Sequence, residues 1–184
     1  SNLPLRGRKG RTDEGGMRVP CVVRWPAKIP PGSSSGAITS TLDLLPTAAA
    51  LAGTELPGDK VIDGKNILPI LLGKTNAHPR EAFYYYQMGQ LQAVRSGDWK
   101  LFVPMESKKR NWGKPEGKTE LKLFNLAKDV HEDRNLAAQK PEVVKRLLAL
   151  AEKAREDLGD LNRPGKGQRK AGWVDEPSPR LMVK

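Results

Sequence analysis

The sequence predicts a mixed α/β chain in which a small antiparallel sheet carries one long helix. Three observations predict it. Strand-like runs at 83–86, 91–95 and 99–103 follow one another across the turn formers Met88-Gly89 and Ser96-Gly97-Asp98, with a fourth run at 121–126. Residues 141–158 repeat apolar side chains at helical spacing. Residues 19–25 (VPCVVRW) are a short apolar run of the kind buried on both faces in a parallel sheet.

Taken in order, residues 1–17 are rich in glycine and lack apolar periodicity, so they read as a loop. In the run at 19–25, Pro20 places the start of the strand after itself and leaves Cys21 as a buried, inert thiol. Ser40 and Asp43 then form an S-x-x-D capping pattern. Leu44, Ala48, Leu51 and Ala52 share one helical face, with Pro46 tolerated in the first turn and Gly53 as terminator. Residues 54–80 read as irregular, with a short apolar turn at 67–72. The aromatics Tyr84, Tyr85, Tyr86, Trp99 and Phe102 are expected to pack the sheet against its helix rather than to stack on nucleic-acid bases.

The helix at 141–158 begins with Pro141, and Gly159 stops it. Val144, Leu147, Leu148, Ala151, Ala154 and Leu158 make its apolar face, and Glu142–Arg146 is a favourable i,i+4 pair. The tail at 161–184 is expected to wrap a surface or fray. One imbalance stands out. The apolar run at 19–25 needs sheet neighbours that this chain does not supply, which marks the chain as part of something longer.

Composition narrows the function classes. No apolar stretch is long enough to span a membrane, and one cysteine among 184 residues excludes an intramolecular disulfide framework. The net charge of +11 is uneven: residues 1–30 carry seven Lys/Arg against two acids, and residues 95–122 carry eight against four. Such cationic segments suit an anionic partner, although a merely solvated basic surface has the same composition. His78 and His131 have no metal-ligand spacing partner and read as surface residues.

The most informative segment is 5–20, LRGRKGRTDEGGMRVP. Glycines at 7, 10, 15 and 16 let backbone approach a ligand closely, and Lys9 can present a compact charge to an oxyanion. A solvated basic loop is the alternative.

Read from Gly7 to Pro20, G-x-K-G-x-T-x-x-E-G-G-x-R-V-P resembles the loop after the second metal-ligand pair in type I, formylglycine-dependent sulfatases of the alkaline phosphatase superfamily. Residues 40–53 (STLDLLPTAAALAG), 61–73 (VIDGKNILPILLG), 93–101 (AVRSGDWKL) and 123–136 (LFNLAKDVHEDRNL) resemble later motifs of the same family, in order. The nearest likeness is to the arylsulfatase A-like group. The fold implied is the C-terminal part of an alkaline phosphatase-like sulfatase. In it, 1–82 would end the catalytic α/β domain, 83–160 would form an antiparallel sheet and helix subdomain, and 161–184 a tail.

The resemblance implies an enzyme hydrolysing sulfate esters of a small molecule or glycan, with no specific nucleic-acid partner and an exported, periplasmic or secreted, parent. Lys9 matches the family lysine that binds the substrate sulfate, so it is the one catalytic and substrate-binding residue to carry over. Thr12, Glu14 and Arg18 match its loop-bracing neighbours. Formylglycine and calcium are expected in the full-length parent, but neither C-x-P-x-R nor S-x-P-x-R occurs here, and no metal ligand maps onto this chain. Cys21 is followed by Val-Val-Arg and is no formylglycine precursor. The missing N-terminal part of the same enzyme is therefore its expected partner, and the piece alone is expected to be inactive. Two rival readings are a basic polyanion-binding module and a phosphatase-type member of the superfamily.

Overall fold

The structure, a computed structural model, describes residues 2–74, 78–110, 114–169 and 174–178. Strands β1 (Phe83–Gln87), β2 (Gln90–Ser96), β3 (Trp99–Phe102) and β4 (Lys122–Asn125) form an antiparallel meander in the order β1-β2-β3-β4. Met88 (φ 52°) and Gly89 (φ 73°) make the first hairpin turn, where both central residues take positive φ. The register pairs Tyr85 with Ala93 but Tyr86 with Leu91, so Gln92 is an extra residue in β2. That bulge re-aims the Gln92 side chain.

Among the described residues four α-helices accompany the sheet: α1 (Glu14–Met17), α2 (Leu44–Ala52), α3 (Leu68–Leu71) and α4 (Pro141–Leu158). Helix α4 covers one face of the sheet. Its Leu147, Leu150, Ala151 and Ala154 pack with Leu91, Val94, Leu101 and Leu123 in the main core. Leu150 joins this core although it lies outside the face predicted for the helix, and Arg146 donates to Ser96 Oγ (2.9 Å) rather than pairing with Glu142. The tail beyond Gly159 folds back to close the helix. Lys166 N and Gly167 N donate to the carbonyls of Glu156 and Asp157, both at 2.8 Å, satisfying groups a helix end leaves open. The remaining tail residues, 170–173 and 179–184, lie outside the described residues.

The opposite face of the sheet holds Tyr85, Ala93, Phe102 and Phe124, packed with Phe83 and Met17. Tyr84, Tyr86 and Trp99 face the helix as expected, whereas Tyr85 and Phe102 pack on this second face. Strand alternation is the reason: neighbouring side chains point to opposite sides, so a run of three tyrosines must serve both layers. Residues 2–18 cover that second face, making a sandwich of helix, sheet and glycine-rich loop.

The expectations for residues 19–25 are corrected. Residues 19–25 form no strand, and Cys21 is exposed, not buried. Val22 is 93% exposed, because none of the four strands lies beside this run to cover either of its faces. Ser40 and Asp43 form a reciprocal capping box on a 3-10 turn, Thr41–Asp43, that runs directly into α2, and Gly53 ends the helix in the left-handed region at φ 65°. It nevertheless buries Pro46, Thr47 and Ala49, while Leu44 and Leu51 of the predicted face point outward. Its inner side is fixed by polar links, not by that apolar stripe. Thr47 Oγ1 donates to the Asp43 carbonyl (2.6 Å) and accepts from Ile67 N (3.0 Å), and the buried Asp43 carboxylate pairs with Arg80.

Candidate functional site

The loop carrying Lys9 is shaped by its own glycines. Gly7 and Gly10 take φ of 82° and 84°, backbone that side-chain-bearing residues rarely adopt. Gly15 and Gly16 sit where the backbone of residues 6–11 folds back onto α1. The glycines at 15 and 16 thus let the loop approach itself. Lys9 stands exposed at the outer turn.

Behind that turn the loop is tied to the sheet through buried polar groups. Gln87 Nε2 donates to the Gly10 carbonyl (2.5 Å), next to Lys9. Thr12 Oγ1 donates to Gln92 Oε1 (2.9 Å), the side chain re-aimed by the bulge. Gln92 Nε2 in turn donates to the Lys109 carbonyl (2.8 Å), and Lys109 N donates to Gln90 Oε1 (2.7 Å). Three glutamines on one hairpin therefore fasten both the Lys9 loop and the basic segment around Lys109. Arg11 adds a surface tie to Asp13 at 2.7 Å. Burial would raise the Asp13 carboxyl, but the Arg11 guanidinium outweighs it and holds it below the usual range.

Glu14 is the centre of a charged cluster beneath the loop. Fully buried, its Oε1 accepts from Lys100 Nζ (2.9 Å) and from the Tyr85 hydroxyl (2.9 Å). Its Oε2 accepts from Arg18 Nε (2.5 Å) and Arg95 Nη1 (3.3 Å). Burial pushes this carboxyl up, yet Lys100 and Arg18 more than offset it and bring its pKa down to about 2. Burial and the neighbouring Glu14 charge raise the Tyr85 hydroxyl in turn. A second carboxylate, Glu132, lies 2.9 Å from Lys100 through Oε1 and accepts from Glu14 N through Oε2 (2.9 Å). Lys100 aims its hydrogen bonds at Glu14 and the Thr12 carbonyl, so Glu132 Oε1 has the ammonium nearby without an aligned donor. Burial dominates there, and the Glu132 pKa is raised despite Lys100.

Of the residues singled out from the sequence, Thr12, Glu14 and Arg18 join this cluster, and Lys9 projects from the turn it supports. Lys100, Glu132 and Gln92 are the residues sequence reasoning passed over. A signal existed for Lys100, which shares a strand face with Phe102, so a charge there needs buried partners. Among the described residues no three His, Cys, Asp or Glu side chains gather as a metal site, and the exposed Cys21 lies in no formylglycine motif. These residues therefore do not fit calcium or formylglycine. No helix among the described residues is long and apolar enough to cross a membrane.

Comparison with known proteins agrees with this architecture. Residues 9–157 match the family described as N-sulphoglucosamine sulphohydrolase, C-terminal. The chain is 35% identical over 150 residues to N-acetylgalactosamine-6-O-sulfatase of Bacteroides thetaiotaomicron, covering 80% of this chain and 29% of that protein. It is 33% identical over 184 residues to arylsulfatase G of Canis lupus familiaris, covering 92% of this chain and 33% of the relative. Mouse steryl-sulfatase is 48% identical over 106 residues, or 55% of this chain and 17% of that protein. The chain thus spans one third or less of the length of these relatives.

Among solved structures, one from work on glycosaminoglycan metabolism by Bacteroides thetaiotaomicron superposes with a TM-score of 0.69 at 35% identity. It covers 82% of this chain and 32% of that one. A second, solved in complex with a neocarrahexaose, gives a TM-score of 0.68 at 29% identity over 83% of this chain and 32% of that one. The glycine-rich loop, the meander and the covering helix are together the C-terminal part of a larger enzyme fold, and the chain belongs to the sulfatase family.

Proposed function

We propose that this chain is the C-terminal portion of an enzyme that hydrolyses sulfate esters, and that Lys9 supplies a cation to the substrate sulfate. One observation carries the reading: the Lys9 turn is exposed at its tip and tied down behind it at Gly10, Thr12 and Glu14. A lysine carried on a backbone that is already fixed reaches a developing anion with less reorganisation of the loop, and such preorganisation is where electrostatic catalysis gains most. Thr12, Glu14 and Arg18 hold the loop and do not touch substrate in this reading. The names of the relatives include a steryl-sulfatase and an N-acetylgalactosamine-6-O-sulfatase, so the substrate class stays at sulfate esters of small molecules or glycans.

The nucleophile and calcium site belong, in this reading, to the preceding part of the same polypeptide. Residues 1–82 would then end the catalytic domain, 83–160 would form the C-terminal subdomain and 161–184 the tail. The uncovered apolar side chains of 19–25 and of α2 support that arrangement, since they need a partner layer. The deciding assay is sulfate release from an aryl sulfate by the complete polypeptide and its Lys9→Ala variant. The variant is expected to lose roughly 10²-fold in turnover, the scale of one preorganised charge-stabilising group. Unchanged turnover would remove Lys9 from the site. Hydrolysis of a phosphate monoester in place of the sulfate ester would favour the phosphatase reading.

A further inference from the structure

We propose that Lys100 of β3 and Glu132 are positioning residues that set the Lys9 turn in place from inside the protein, a role that rests on the function proposed for Lys9. The Lys100 side chain is fully buried, and its ammonium reaches the loop backbone directly, donating to the Thr12 carbonyl at 2.7 Å. It also donates to Glu14 Oε1 at 2.9 Å, and lies 4.3 Å and 4.8 Å from the ring centroids of Tyr85 and Phe102. Glu132 grips the same loop at two other points. Its side chain accepts from Glu14 N (2.9 Å), and its carbonyl accepts from Arg6 Nη1 (2.6 Å). The anchored residues are Arg6 before Lys9 and Thr12 and Glu14 after it, so the lysine is held from both sides.

Packing alone does not explain this arrangement. Desolvating an ion costs several kcal/mol, and apolar residues of similar volume fill a core as well or better. What an apolar residue cannot do is hydrogen-bond a loop carbonyl and a loop carboxylate at once. An ammonium with three donors can. The cluster thus exchanges stability for a defined loop geometry, and that matters because a displacement of about 1 Å at a reacting group can cost on the order of 10²-fold in rate.

The test uses the complete polypeptide with Lys100→Met, Glu132→Ala and Glu132→Gln. Two readouts are taken: the inhibition constant of inorganic sulfate and amide hydrogen exchange across residues 7–18. Lys100→Met and Glu132→Ala are expected to weaken sulfate inhibition by about tenfold and to speed exchange in the loop while the sheet stays protected. Glu132→Gln keeps an acceptor for Glu14 N and is expected to restore most of both. Loss of folded protein lowers turnover without moving the inhibition constant, so a purely structural role reads differently. The proposal is overturned if both disruptive variants match wild type in the two readouts, or if exchange rises evenly through the sheet. Should Lys100→Met fail to fold, Glu132→Ala decides alone, because it leaves the Lys100–Glu14 pair intact. Should wild type release no sulfate, the functional reading fails, and loop exchange still decides whether the brace exists.

Discussion

Gly15 and Arg6 meet at a single oxygen: Gly15 N donates to the Arg6 carbonyl at 2.7 Å, and a β-carbon on Gly15 would stand 2.6 Å from that same atom. Hydrogen bond and steric limit thus enforce one another. The Gly7 carbonyl would lie 2.9 Å from the added carbon, so backbone, which cannot rotate away, blocks it on two sides. Gly15→Ala is expected to destabilise by about 1–3 kcal/mol, the usual cost of overpacking. Because the strain falls on the Lys9 turn, turnover of an aryl sulfate should drop further than the loss of folded protein accounts for. Thermal midpoint and turnover measured on the same preparation check this, and a parallel loss of both would show that the strain spreads beyond the loop.

Leu147 is fully buried between α4 and the sheet. Leu147→Ala removes methyl groups that the surrounding strands cannot collapse to replace, at an expected cost of about 2–5 kcal/mol. Leu148→Ala, one residue on and only half-buried, should cost well under half as much. Urea unfolding of the pair distinguishes them, and equal costs would contradict the observed orientation of the helix.

How much of this was legible in the sequence depends on range. Helix α4 and the β1–β2 hairpin were readable because a 3.6-residue period and a Met-Gly turn are local signals. The fate of 19–25 was not, since an apolar run states a need for neighbours without saying whether they are present. Helix α2 misled in the same way: the stripe Leu44–Leu51 is real, but the inner side of the helix is fixed by Thr47 and Asp43. At the site, Thr12, Glu14 and Arg18 came from a contiguous motif. Lys100 did not, because its partner Glu14 lies 86 residues away and no local pattern links them.

The two buried glutamates have opposite pH signatures. Glu14 has a folded pKa of about 2 against an ordinary 4.5, so its stabilisation is present above pH 4.5 and is lost as pH falls toward 2. That difference corresponds to about 3 kcal/mol. Glu132 is raised above 4.5, so its contribution is present below that pH and lost as pH rises through the folded value. Lys100, Arg18, Arg95 and Tyr85 contact the carboxylates of the pair, and Arg6 donates to the Glu132 carbonyl. Glu132→Gln mimics the protonated acid, so its thermal midpoint relative to wild type should climb as pH rises from 4.5. A difference that is flat with pH would contradict the raised Glu132.

Leu44 is 64% exposed, Leu51 48% and Val22 93%, on a chain that spans one third or less of the length of its relatives. Exposed apolar side chains of this size suit contact with a partner layer or with another copy of the chain. The double substitution Leu44→Glu/Leu51→Lys is therefore expected to act with opposite sign in two settings. In the isolated 184-residue chain it should reduce self-association, seen as a smaller mass by sedimentation. In the complete polypeptide it should lower the thermal midpoint, because the same positions would then place charges inside an apolar contact. If the complete polypeptide tolerates both changes without a shift, this face of α2 is a free surface, and the partner layer proposed for it is ruled out.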